Sequence, residues 1–220
     1  MLQSSLPRNI RIITCRWVYK VKPEKLNADD IDTYSATLKM VTLRLLVAIA
    51  AFLGWNLWQM DVCNAFLNAE LTGAPVYMHC VQGYERPGYV IKLHRALYGL
   101  RNSPREWYTT LTDHLIKIGM QQSLLDACLF IKVLNNKVVL IVGLHVDDLI
   151  IVGVQDQVDW IRAKMKKEFK MDDLGKPTRV LGIDIEYGAS NCTKKATSRS
   201  CCSSLTSKKP KQWTLRWTAV

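Results

Sequence analysis

The chain has 220 residues, 49% of them hydrophobic, with 30 Lys and Arg against 19 Asp and Glu for a net charge of +11. That length and apolar content suit one good-sized core and exclude a disordered chain. The longest apolar run, Leu43 to Leu53, is broken by Arg44 and closed by Gly54, short of the roughly 20 residues of a membrane span, so no membrane partner is expected.

The charge points to a polyanionic partner, since clustered Lys and Arg gain affinity by releasing counterions from phosphates. Seven basic side chains and no acid fall in residues 189–220, however, so the body of the chain is only mildly basic. No N-terminal stretch combines a basic start, an apolar run and a small-residue cleavage site. The seven cysteines are therefore read as reduced thiols of a protein that is intracellular, in the cytoplasm or nucleus, and not secreted.

In chain order, Arg16 to Val21 alternates polar and apolar residues as a strand does, and a polar stretch follows from Pro23 to Asp32. An apolar segment from about Thr42 to Gly54 predicts a buried helix. It leads into Trp58 to Val62, a short strand carrying Asp61, and then into a short helix within Asn64 to Leu71. Val76 to His79 and Tyr89 to Leu93 predict a strand pair across a loop containing Gly83, Pro87 and Gly88.

Ser103, Pro104 and Glu106 form the pattern of a capping box, with Ser103 as N-cap and Pro104 at the first helical position. Trp107, Leu111, Leu115 and Ile118 recur at helical spacing behind it, and Gly119 is the stop. Cys128 to Leu134 and Lys137 to Leu144 read as two strands joined at Asn135-Asn136, residues that tolerate the positive φ of a tight turn. Leu149 to Gly153 is a further strand. Val158, Ile161, Met165 and Phe169 mark an amphipathic helix with a lysine-rich outer face, and Arg179 to Tyr187 predicts a last strand. The fold class is α+β, an antiparallel sheet covered by helices on one face.

Asp147 and Asp148 lie between two strongly apolar strands. Adjacent acids there are costly unless a cation or hydrogen-bond donors receive them. Asp61 follows an apolar run in the same way. Were the sheet to set Asp61 about 4 Å from Asp147, the charges would repel by roughly 4 kcal/mol at an effective dielectric of 20, and a divalent ion would reverse the sign. Oxygen ligands of this kind suit magnesium. The competing account is that the doublet only shapes a turn. Zinc is not expected, because Cys15, Cys63, His79, Cys80 and Cys128 lack paired ligand spacing.

Four ordered motifs go further. Gln59-Met60-Asp61-Val62 with Ala65-Phe66-Leu67-Asn68 comes first. Leu97-Tyr98-Gly99-Leu100-Arg101-Asn102-Ser103-Pro104-Arg105 with Trp107-Tyr108 is second, Val146-Asp147-Asp148 third, and Asp173-Leu174-Gly175 with Leu181-Gly182-Ile183-Asp184-Ile185 fourth. Together they resemble the reverse transcriptases of copia-type retrotransposons. The resemblance implies a right-hand polymerase palm over residues 1–188, with shortened fingers and no thumb. Its activity would be RNA-directed DNA polymerisation, in which two Mg2+ ions, or Mn2+, join a dNTP to a primer 3′-hydroxyl.

By that resemblance the catalytic residues are Asp61, Asp147 and Asp148, and the metal set is Asp61, Val62, Asp147 and Asp148. Phe66 would gate against the ribose 2′-hydroxyl, with an ordinary core Phe as the competing account. Tyr98, Gly99 and Arg101 would face nucleotide and template, Arg101 being equally a surface charge. Leu181 and Gly182 would belong to the primer grip, where plain strand packing competes. The implied partners are an RNA or DNA template-primer, dNTPs and, in an intact element, the RNase H and integrase parts of the Pol polyprotein.

The chain departs from the family at three places. His145 stands where Tyr is usual, few residues separate Lys22 from Ile31, and likeness fades near Tyr187. The basic tail, residues 189–220, is expected to be disordered and to follow a frameshift near Asn191. The alternative to an enzyme is an inactive palm remnant that binds nucleic acid.

Overall fold

The structure, a computed structural model, describes residues 5–6, 12–15, 37–187 and the strand at 213–216. The expected strand at 16–21, the shortened segment after Lys22 and most of the tail lie outside these residues. The chain divides into two units, residues 1–35 with 64–113 and residues 36–63 with 114–220.

In the first unit, β1 (Ile12–Ile13) runs parallel to β3 (Val76–His79), which pairs antiparallel with β4 (Val90–Leu93). The strand pair expected from sequence is therefore present, and β1 adds an edge. A 3-10 turn, Ala65–Asn68, buries Ala65 and Phe66. The helix α2 (Ser103–Lys117) begins here with Trp107 and Leu111 buried at helical spacing. Its start differs from a capping box. The Ser103 hydroxyl donates to the Leu97 carbonyl at 2.5 Å, and the Glu106 carboxylate accepts from the Thr72 hydroxyl at 2.8 and 2.9 Å. Both side chains serve tertiary contacts instead of the orphan N–H groups of the first turn. Gly119, with φ of 90°, ends the segment as expected.

The second unit is built on a six-stranded antiparallel sheet in the order β5-β6-β7-β8-β2-β9. Its strands are β2 (Asn56–Val62), β5 (Gln121–Gln122), β6 (Leu129–Leu134), β7 (Lys137–His145), β8 (Asp148–Gly153) and β9 (Met171–Gly175). The β6–β7 hairpin turns on Asn135 and Asn136, with φ of 50° and 60°, the paired positive values of a two-residue turn. Leu149, Ile150, Ile151 and Val152 of β8 are all fully buried. At about 1.5–3 kcal/mol for each such side chain, this central strand anchors the unit.

Because successive strand residues face opposite sides, burial of all four means that both faces of β8 are covered. The helix α3 (Gln155–Glu168) covers one face. Its Arg162 stacks 4.2 Å from the Trp58 ring centre, and its Trp160 lies under Lys132. The helix α1 (Met40–Leu53) covers the other, because a side chain at Gly143 would strike Leu38 and Leu46. The expected sheet with helices on one face is thus corrected to one with helices on both. Nor is α1 wholly buried, since Val41, Leu45 and Phe52 are exposed.

The expected final strand is in fact a hairpin, β10 (Arg179–Val180) and β11 (Ile183–Tyr187), turning on Leu181 and Gly182 with φ of 46° and 82°. The strand β12 (Trp213–Arg216) pairs antiparallel with β11. Among the described residues no helix is long and apolar enough to cross a membrane.

Packing around β8 gives a direct test. A Cβ on Gly153 would lie 2.7 Å from the Val139 carbonyl oxygen and 3.1 Å from the Leu140 Cα, whereas one on Gly143 would meet only the side-chain ends of Leu38 and Leu46. Gly153→Ala should therefore cost about 2–3 kcal/mol in urea unfolding, and Gly143→Ala less, because backbone cannot swing aside as a leucine methyl can. Equal costs would show that the backbone beside Gly153 yields.

Candidate active site on the β2–β8 strand pair

The register of β2 and β8 decides which acids meet. Asn56 opposes Gly153, and the ladder runs without a shift to Asp61 opposite Asp148. The residue directly opposite Asp61 across the ladder is therefore Asp148, and Asp147 lies in the adjoining turn. Directly opposed side chains have Cβ atoms about 5 Å apart. Two carboxylates there repel by roughly 3 kcal/mol at an effective dielectric of 20, less where water screens them.

Asp147 sits in the two-residue turn between β7 and β8. Val62 donates its backbone N–H to the Asp147 carbonyl at 2.9 Å, so the turn is tied to the end of β2, and the Oδ1 of Asp147 is buried. Val146, the other turn residue, has φ of 55°. That left-handed conformation is costly for a β-branched side chain, and such strain concentrates at functional sites. Asp61, Val62, Asp147 and Asp148 are thus brought together at one end of the sheet.

Three further residues share this end. Gln59, on the same side of β2 as Asp61, donates from Nε2 to Asp148 Oδ1 at 2.9 Å. Asp172 of β9 opposes Asp61 from the other flank, which makes a row of three acids, Asp148, Asp61 and Asp172, on one face. Burial first, then the charge and hydrogen bond of Asp172 and the charge of Asp61, push the Cys63 thiol above its usual range. His145 of β7 lies opposite Asp148. Burial lowers its pKa against the opposing pull of Asp148, and its Nδ1 is buried with no hydrogen bond among the described residues.

Sequence reasoning missed Gln59 and Asp172 as members of this face. Gln59 was accessible from the two-residue period of the strand. Asp172 was not, because Met-Asp-Asp-Leu-Gly has no strand-like alternation. Asp173, its neighbour, faces the other side of the sheet and plays a structural part.

The oxygen-only set fits a hard divalent cation. Magnesium takes one or two carboxylates and keeps several waters for exchange with phosphate oxygens. Among the described residues no group of three or more His, Cys, Asp and Glu side chains is placed so as to hold a metal ion by itself, so any such ion would draw on water and phosphate oxygens for most of its ligands.

In the first unit Phe66 is buried, and its ring packs 4.4 Å from that of Tyr98. Gly99 has φ of 98°, and Arg101 is exposed beside it. Leu181 and Gly182 form the β10–β11 turn in the second unit.

Comparison with known proteins agrees with the motifs. The family pattern described as Reverse transcriptase (RNA-dependent DNA polymerase) matches residues 26–198. The chain is similar to the Retrovirus-related Pol polyprotein from transposon TNT 1-94 of Nicotiana tabacum, at 30% identity over 82% of this chain and 15% of that protein. It also resembles the corresponding polyprotein from transposon RE1 of Arabidopsis thaliana, at 32% identity over 67% and 11%. The Putative transposon Ty5-1 protein of Saccharomyces cerevisiae is 29% identical over 59% of this chain and 43% of its own length. The chain thus spans 15% or less of either plant polyprotein.

Proposed function

Because the chain belongs to the reverse transcriptase (RNA-dependent DNA polymerase) family of retrotransposon Pol polyproteins, we propose that its β2–β8 acids serve nucleotidyl transfer from a dNTP to a primer 3′-hydroxyl. The observation that carries this reading is the unshifted register setting Asp61 opposite Asp148, with Asp147 in the turn bonded to Val62. Mg2+ or Mn2+ held there would supply charge stabilisation for the phosphoryl group and lower the pKa of the attacking hydroxyl.

In this reading Asp61, Asp147 and Asp148 hold the cations, with the backbone of Val62 beside them, and the sheet is the palm of a polymerase. Phe66, packed on Tyr98, screens the sugar, and Gly99 and Arg101 face nucleotide and template. The Leu181–Gly182 turn bears on the primer, and the substrates are a template-primer and dNTPs. In an intact element the RNase H and integrase parts of the polyprotein accompany it.

A second reading, a palm remnant that binds nucleic acid without catalysis, is favoured by one observation. His145, where the family usually carries Tyr, faces Asp148 across the ladder. Primer extension on an RNA template with Mg2+ or Mn2+ separates the two. Incorporation that disappears in Asp147→Asn establishes the enzyme. No incorporation with template binding retained establishes the remnant.

A further inference from the structure

The sheet carries two aspartates that are held in opposite ways. Asp173 receives hydrogen bonds from Trp58 Nε1, Arg162 and Lys166, so two cations already neutralise it. Asp148 receives the Gln59 amide at 2.9 Å. An amide donates a hydrogen bond without bringing a charge, so it fixes the direction of a carboxylate while leaving its full attraction for a cation.

We infer that Gln59 is the positioning residue for Asp148, an uncharged donor that orients one carboxylate oxygen so that the other remains open to a divalent cation. This rests on the metal reading proposed above. The geometry is specific to residue 59. On β2 it lies two residues before Asp61 and on the same face, while across the ladder it opposes Ile150, two residues beyond Asp148. From there the Gln side chain is long enough to reach diagonally to Asp148. Lys or Arg at residue 59 would make the same reach but compete with the cation. An apolar residue would remove the Gln59 amide from Asp148 and leave its carboxylate freer to turn towards water and away from Asp61.

The test is Mn2+ binding by the 220-residue chain, read from the electron paramagnetic resonance signal of free Mn2+, in a double-mutant cycle of Gln59→Leu and Asp148→Asn. Gln59→Leu is expected to weaken Mn2+ binding fivefold to tenfold in the native background and less than twofold beside Asp148→Asn. Gln59→Val, a better strand former, should repeat the result and keeps the test open if the leucine variant fails to fold. Equal losses in both backgrounds would show that Gln59 only packs the strand, and would overturn the inference while sparing the metal reading. If the native chain binds Mn2+ no more tightly than a variant with Asn at residues 61, 147 and 148, the metal reading falls, and this inference falls with it.

Discussion

On the proposed metal reading, Asp61→Asn should lower divalent-dependent incorporation by roughly 10²- to 10³-fold, a loss of the size seen when one electrostatic stabiliser of a transition state is removed. The same substitution should raise the melting temperature of the metal-free chain. Asp61 stands between Asp148 and Asp172 on one face of the sheet, and like charges opposed across strands destabilise by about 0.2–1 kcal/mol per pair. Relief of two such pairs corresponds to an increase of about 1–8 °C for a chain of this size. Magnesium should invert the order. An ion that binds only the folded state stabilises it by mass action, so Mg2+ should raise the melting temperature of the native chain and leave that of Asp61→Asn nearly unchanged. Thermal melts with EDTA and with Mg2+ measure both effects. A variant that melts below the native chain in EDTA would mean that Asp61 is a structural acid, and the metal account of the row would fail.

Such a row of acids was only half legible in the sequence. Asp61 and the Asp147-Asp148 doublet stood out because an acid beside an apolar strand has a high cost that something must offset. Which of them meet is a matter of register, fixed by pairing between residues almost ninety apart in sequence, and local pattern does not carry it. The helices around Trp107 and Val158 were readable from their 3.6-residue period, and the Asn135-Asn136 turn from its chemistry. The failures have physical causes too. Ser103 and Glu106 fit a capping box by spacing, but tertiary partners at Leu97 and Thr72 claimed their side chains. The strand β9 was invisible because its polar residues are held by partners from other elements, not by alternation. The apolar run of α1 suggested complete burial, yet Val41, Leu45 and Phe52 face outward, because composition alone does not say which side of a helix the sheet covers.

Asp173 supplies a stability effect as large as that expected at Gly153, and its argument runs through charge. Its carboxylate accepts from Trp58 Nε1 at 2.5 Å, from Arg162 at 2.6 and 3.1 Å and from Lys166 at 2.6 Å, so one side chain ties β9 to β2 and to α3. Burial alone would push its pKa up. The hydrogen bonds from Lys166, Trp58 and Arg162, with the charge of Arg162, outweigh this and hold it well below the ordinary carboxylate range. Asp173→Ala leaves the Arg162 guanidinium without its main partner while still stacked on Trp58. Breaking a fully buried pair costs about 3–5 kcal/mol. Since this one is partly open to water, about 2–3 kcal/mol is expected, a fall of roughly 5–10 °C in melting temperature. The pH dependence has a fixed sign. A carboxyl whose folded-state pKa is depressed contributes its stability in full above the unfolded value near 4 and loses it as pH falls towards the folded value. The gap between native and Asp173→Ala should therefore stay constant from pH 7 to about pH 5 and narrow below pH 4. Urea unfolding across that range checks it, and a gap that widens in acid would show that the Asp173 carboxyl acts in its protonated form, as a donor, and not as the anion bridging three elements.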